Sequence, residues 1–269
     1  MKLFAKLAFL TILLLSFTFT NIQANIVVKN GLSHLHDVTL GKVYKGSIEI
    51  QNTTDREQSV KLYQRDYQFF YTGEAFYEQP GSHKRSNANW IDLSTSFLTL
   101  GAKEEIVINY EIQVPENFDL PGTSWSVIIV EGVKNVDPSK FKSGININTV
   151  IRYAIQIATT IEETGSSDLH FAKVDLNKSV EGIQQLEVDV ENIGERLLVP
   201  EMTLELFNND GESVGIFTAE KRKTYPGTSV KYQVNLSKAK AGNYQAILLA
   251  DCGEEEVFGV NISLEISND

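Results

Sequence analysis

The feature that most restricts this chain is a two-residue alternation of apolar and polar side chains, which recurs from the first third of the sequence to its end. Ile106, Ile108, Tyr110, Ile112 and Val114 alternate with Val107, Asn109, Glu111 and Gln113, and Pro115 follows at once. Successive side chains of an extended strand point to opposite faces, so such a run is a strand with one face buried. Proline closes it by removing a backbone donor. A second long row consists of Ile147, Thr149, Ile151, Tyr153, Ile155 and Ile157, set against Asn148, Val150, Arg152, Ala154 and Gln156. Shorter strands are expected at residues 47–51, 59–65 and 124–131, with turns at Asn52-Thr53-Thr54-Asp55 and Pro121-Gly122.

Residues 162–168 are polar, contain Gly165 and interrupt the alternation, which marks a linker. A second set of strands follows. Leu186, Val188 and Val190 alternate; Leu204 and Leu206 lead through Asn208-Asn209-Asp210-Gly211 to Val214 and Phe217, the signature of a hairpin. Further strands are expected from Val230 to Leu236, over 244–250 and over 257–266. About seven short strands in roughly 100 residues, with no helical periodicity, is the pattern of a sandwich. The expected fold is all-β: two tandem immunoglobulin-like β-sandwich domains, at 25–163 and 169–269, after a signal peptide at 1–24.

The signal peptide is expected from Lys2 and Lys6, the mostly apolar stretch from Leu7 to Phe19, and the cleavage sequence Ile22-Gln23-Ala24. No later run of about 20 apolar residues follows, so no transmembrane segment is expected in the mature chain. Export to the periplasm or cell surface is therefore expected. The formal charge of −11 becomes two units more negative once Lys2 and Lys6 are removed, which argues against nucleic acid or anionic lipid as partner. Cys252 is the sole cysteine, so no disulfide forms within the chain, and stability must come from apolar packing.

Several turn-and-strand motifs carry a family resemblance. Gly46-Ser47-Ile48-Glu49-Ile50-Gln51-Asn52-Thr53-Thr54, Leu98-Thr99-Leu100-Gly101-Ala102-Lys103-Glu104-Glu105, and Val114-Pro115 followed by Pro121-Gly122-Thr123-Ser124-Trp125 occur in the first half. That half resembles the amino-terminal domain shared by periplasmic pilus chaperones and WxL-interacting, peptidoglycan-binding proteins. Val190-Glu191-Asn192-Ile193-Gly194, Tyr225-Pro226-Gly227-Thr228-Ser229 and Ala241-Gly242-Asn243-Tyr244 are similar to motifs of Ig-like accessory domains. The chaperone resemblance implies an apolar strand that completes a subunit's fold and two basic residues that hold its carboxylate. On this sequence the strand is the row of Ile147, Ile151, Tyr153 and Ile155, with Arg152 as one basic residue and Lys29 as the other.

A second candidate surface comes from the residues themselves. Tyr63, Tyr67, Phe69, Phe70, Tyr71, Phe76, Tyr77 and Trp90 fall within 28 residues, more rings than one sandwich core accommodates. Tyr71-Thr72-Gly73-Glu74 reads as a hairpin tip, which makes Tyr71, Phe76, Tyr77 and Trp90 candidates for contact with a glycan or a protein. The alternative is that these rings pack on each other or between the domains.

His34 and His36 lie two apart beside Asp37 and would share one face of a strand, but no further ligands accompany them, so no metal is assigned. The acidic run 251–256 lacks the spacing of a calcium loop. No Gly-x-Ser-x-Gly elbow, phosphate-binding glycine loop or His-Glu-x-x-His occurs, so neither an enzyme nor a cofactor is expected. The expected function is non-enzymatic binding or assembly in the cell envelope, with envelope or surface protein subunits, or wall glycan, as partner. Two sharper alternatives are a pilus-type chaperone that donates a strand to subunits and a peptidoglycan- or polysaccharide-binding module.

Overall fold

The computed structural model describes residues 25–133, 150–180, 182–253 and 256–267. Within them the chain is nearly all strand, with one 3-10 turn at Ala88–Trp90. The first ten strands are β1 (Ile26–Val28), β2 (Ser33–Val38), β3 (Val43–Asn52), β4 (Gln58–Phe69), β5 (Ala75–Glu78), β6 (Ile91–Leu93), β7 (Phe97–Leu100), β8 (Glu105–Gln113), β9 (Gly122–Val133) and β10 (Arg152–Ile161). They form two facing sheets, ordered β1-β3-β8-β6 and β2-β10-β9-β4-β5, with β7 also paired to β4. The alternating row of β8 supplies Ile108, Tyr110 and Ile112 to one side of the core, and Leu62, Ile128, Val130, Ile155 and Ile157 face them from the other.

The remaining strands are β11 (Leu169–Lys178), β12 (Gln184–Asn192), β13 (Glu201–Phe207), β14 (Ser213–Ala219), β15 (Ser229–Asn235), β16 (Gly242–Asp251) and β17 (Val257–Ile266). Their sheets, β11-β12-β15 and β14-β13-β16-β17, enclose a second core that includes Leu186, Val188, Leu204, Tyr232 and Leu248. The Asn-Asn-Asp-Gly turn joins β13 to β14 as expected, with Leu204 opposite Phe217.

One device repeats in both sandwiches. Asn52, at the end of β3, donates from Nδ2 to the carbonyls of Arg56 and Gly101, both at 2.7 Å. Asn192, at the end of β12, donates to those of Arg196 and Thr224, both at 2.8 Å. Both asparagines are buried, and each satisfies carbonyls of the turns that follow and flank its strand. The "strand then asparagine" motifs are thus structural braces, which is why the family resemblance they carry speaks to fold.

β9 explains its own composition. Ile128 and Val130 enter the first core, while Trp125, on the opposite face, joins Ala158 and Tyr225 in a third cluster between the sandwiches. Both faces are covered, so Trp125 to Val130 is buried throughout and carries four consecutive apolar residues from Val127. The Trp125 and Tyr225 rings stack with centroids 4.9 Å apart and planes 14° from parallel. The backbones meet beside them: Thr123 N–H donates to the Glu195 carbonyl at 2.8 Å, and Leu197 N–H donates to Thr123 Oγ1 at 2.9 Å. Gly122 is required here, because its φ is +80° and a Cβ would stand 2.0 Å from the Glu195 carbonyl oxygen.

Candidate functional site: the outer edge of β10

β10 pairs along its full length with β9, antiparallel, with Arg152 opposite Glu131 and Ile161 opposite Gly122. On its other side it meets β2 only from Gln156 to Ile161. Gln156 N–H donates to the Leu32 carbonyl at 2.9 Å, so Ala154, two residues earlier, presents its N–H toward the same side. Among the described residues no strand pairs with β10 there. Arg152 to Ile155 therefore form an open edge, a template for a further strand.

Apolar side chains flank this edge. Val150 and Ile151 (39% exposed) lie just before β10, and Leu32 and Leu35 (56% exposed) lie on and before β2. The sequence row divides along its length. Ile147 lies outside the described residues; Ile151 is at the surface; Tyr153 packs on the core and donates its hydroxyl to the Ile26 carbonyl at 2.8 Å. Ile155 is fully buried, so it is a core residue and offers no contact to a partner, contrary to its place among the binding candidates. All three share one face, and depth along the sandwich separates them.

Arg152 does not pair with Lys29. Its Nε lies 2.6 Å from Glu131 Oε2, while Lys29 binds Glu105 in the other sheet. Glu131 also accepts from Tyr63 Oη at 2.7 Å and pairs with Lys61 at 3.0 Å. Burial pushes the Glu131 carboxyl up, but the hydrogen bonds from Tyr63, Lys61 and Arg152 outweigh this and hold it below the usual carboxylate range. The cation that the sequence did not suggest is Lys223, from the second sandwich, whose ammonium donates to Ser33 Oγ at the start of β2. Nearby, Tyr225 donates to Gln156 Oε1 at 2.8 Å. Burial lowers the Lys223 pKa, and among the described residues no carboxylate pairs with it.

The aromatic segment distributes itself. Trp90 is buried in the first core, edge-on to Phe118 at 4.9 Å, so it is not on a contact face as expected. Tyr67 stacks on Tyr77 and touches Phe69, which meets Tyr225 edge-on; the rings thus run from β5 into the joint. Tyr71 lies at the β4–β5 tip, half-buried, with its backbone N–H donating to Ser229 Oγ. Phe76 and Tyr77 remain half exposed on β5.

His34 and His36 do share a face, but both point at the Tyr110 hydroxyl, at 2.9 and 3.1 Å, rather than at a common ligand position. A hydroxyl can donate to one imidazole while accepting from the other. Among the described residues no group of three or more metal-ligating side chains converges. Cys252 is half-buried, its thiol pushed up to about 11 by burial and by Glu256 and Asp251.

These histidines give the protein a pH dependence. Burial lowers the pKa of His34, His36 and His83, with only partial opposition from the Asn30 backbone on His34, from Asp37 on His36 and from Asp66 and Glu78 on His83. The unfolded chain therefore binds protons first as pH falls, so unfolding becomes easier below about pH 6.5. Thermal midpoints measured across that range should be level above it and decline below it; a midpoint that rises on acidification would contradict this.

No family model matches the chain, and no curated protein does. Among solved structures it is similar to a chaperone–tip adhesin complex of CFA/I fimbriae biogenesis, at 15% identity, covering 89% of this chain and 98% of that one, with TM-score 0.48. It is similar also to the class 5 fimbriae chaperone CfaA (14%, 90% and 100%, TM-score 0.46). A third is the CsuC–CsuE chaperone–tip adhesion subunit complex from Csu pili of Acinetobacter baumannii (13%, 88% and 98%, TM-score 0.45). Likenesses this distant assign no partner to this chain. No helix among the described residues is long and apolar enough to cross a membrane.

Proposed function

We propose that this chain is an exported, non-enzymatic assembly protein that holds an extended segment of another envelope protein as an added strand beside the outer half of β10. The observation that carries this is the register: β2 covers β10 only from Gln156, so among the described residues Arg152 to Ile155 have no strand paired on one side. Most proteins blunt such an edge with charge or proline. Here its one charge, Arg152, is engaged by Glu131, and Val150, Ile151 and Tyr153 flank it with apolar surface. Backbone pairing would supply affinity, and pockets for alternate side chains would set register. The leader expected at the amino terminus supports an envelope location, and the pilus-chaperone resemblance of the first-half motifs supports a pilus-type subunit as partner. The same first-half motifs carry the WxL resemblance.

The test is Ala154→Pro, which removes a donor from the open edge and no bond to β9. Tagged mature protein should recover a small β-rich subunit from envelope extract in about one-to-one ratio, and the variant should recover less by about tenfold or more. Ile151→Asp should weaken capture similarly with little change in thermal midpoint. Undiminished recovery by Ala154→Pro would overturn strand addition.

A further inference from the structure

β2 is the outermost strand of its sheet, and its six-residue ladder with β10 is the only parallel one among the described strands. Parallel pairs are slightly less stable per residue than antiparallel ones. Its inward positions are His34, His36 and Val38, of which Val38 alone is a fully buried apolar side chain. The two imidazoles are held through one phenol, Tyr110, which reaches them because Gly46 leaves room: a Cβ there would stand 2.2 Å from the ring. His34 Nε2 is buried and makes no hydrogen bond of ordinary geometry, with only the Asn30 backbone interacting with the ring besides Tyr110, an unfavourable state for a polar atom. Outward, Leu35 is exposed. The strand's ends are flanked by Gly31 and Gly41. Few buried apolar contacts on an edge strand place it at the low end of local stability.

We infer that β2 is a removable cover, and that a partner segment long enough displaces it to pair with β10 from Arg152 through Ile161. This rests on the strand-addition function and extends it: the docking edge is ten residues long, and its inner six are hidden in the free protein. The occupant is an extended segment with aliphatic side chains at the two inward positions now held by His34 and His36. Such side chains bury more apolar surface there than imidazoles do and leave no ring nitrogen unsatisfied. Acidification favours release as well. The titratable groups facing the pair are Tyr110 from β8 and Asp37 on β2 itself, while β10 presents uncharged Ile157 and Thr159 opposite them. Two adjacent imidazolium groups would face each other, offset by exposed Asp37 and the Asn30 backbone alone.

Native-state hydrogen exchange on the free protein tests this within one strand. Gln156 N–H donates to Leu32 and Glu162 N–H to Val38, so the amides of Ala158 and Thr160 between them face β2. Those of Ile157 and Thr159 face β9. Ala158 and Thr160 should exchange faster than Ile157 and Thr159 by about tenfold or more, through local opening. Tyr110→Phe should accelerate them about tenfold further, and lowering the pH from about 7.5 to about 5.5 should do the same after correction for intrinsic rates. His36→Leu should slow them. Equal exchange of the two amide sets in the wild type and in Tyr110→Phe would overturn the cover. No partner enters the measurement, so that outcome would leave strand addition at residues 152–155 standing, and a failed Ala154→Pro test would leave the mobility of β2 standing.

Discussion

Trp125→Ala is expected to destabilise the protein by about 3–5 kcal/mol and to split one cooperative thermal transition into two. Trp125 is almost wholly buried. It lies between the His83 ring, with centroids 4.5 Å apart, and the Tyr225 ring, and its indole N–H donates to the Tyr67 carbonyl at 2.7 Å. Truncation leaves a cavity where the two sandwiches touch and takes the indole donor from the Tyr67 carbonyl. Besides this cluster, Phe69 of β4 reaches the second core, and coupling between domains depends on their interface. Without the stack, each sandwich should melt near its own midpoint. Trp125→Phe keeps a ring and loses the hydrogen bond, so a smaller loss of about 1–2 kcal/mol and a single transition are expected. Differential scanning calorimetry distinguishes these outcomes. One unshifted transition in Trp125→Ala would mean that the backbone contacts at Thr123 and Leu197 do the coupling instead. The joint also bears on function, because Tyr225 reaches Gln156, where β2 begins to cover β10.

Periodicity made the strands legible where one face is buried and the other wet. Glu105–Gln113, Gln184–Asn192 and the β13–β14 hairpin emerged in place because alternation and turn chemistry agree there. Three kinds of element escaped. β2 has polar residues at its inward positions, so it shows no apolar alternation, and nothing in the sequence points from His34 and His36 to Tyr110. The short strands β5, β6 and β7 carry too few residues to show a period. The joint was hidden for another reason: Trp125 and Tyr225 are 100 residues apart, and only the packing of two sandwiches brings their rings together. The aromatic surplus between Tyr63 and Trp90 was a true signal that one core could not hold them all. Its resolution into one core residue, a line of rings toward Tyr225 and two exposed side chains needed three dimensions.

The same limit decides how the apolar row of β10 must be probed. Ile151, Tyr153 and Ile155 have one parity and one face, and the sequence offers no means of ranking their depth. In the structure Ile155 is fully buried against the first core, whereas Ile151 is 39% exposed beyond the end of the paired strand. Ile155→Asp places a carboxylate among Ile48, Ile108 and Ile128 with no cation to meet it, so the expected loss is about 5 kcal/mol or more, enough to unfold the first sandwich. Ile151→Asp leaves its carboxylate in water, and its effect on stability should stay within about 0.5 kcal/mol. Chemical denaturation of both variants, set beside their capture of the subunit, separates the two roles. Loss of capture in Ile155→Asp carries no information about recognition, because the fold is gone. Loss in Ile151→Asp at undiminished stability locates the partner on the open edge. If Ile155→Asp proved as stable as the wild type, β10 would not be packed as described, and the edge it offers would have to be sought elsewhere.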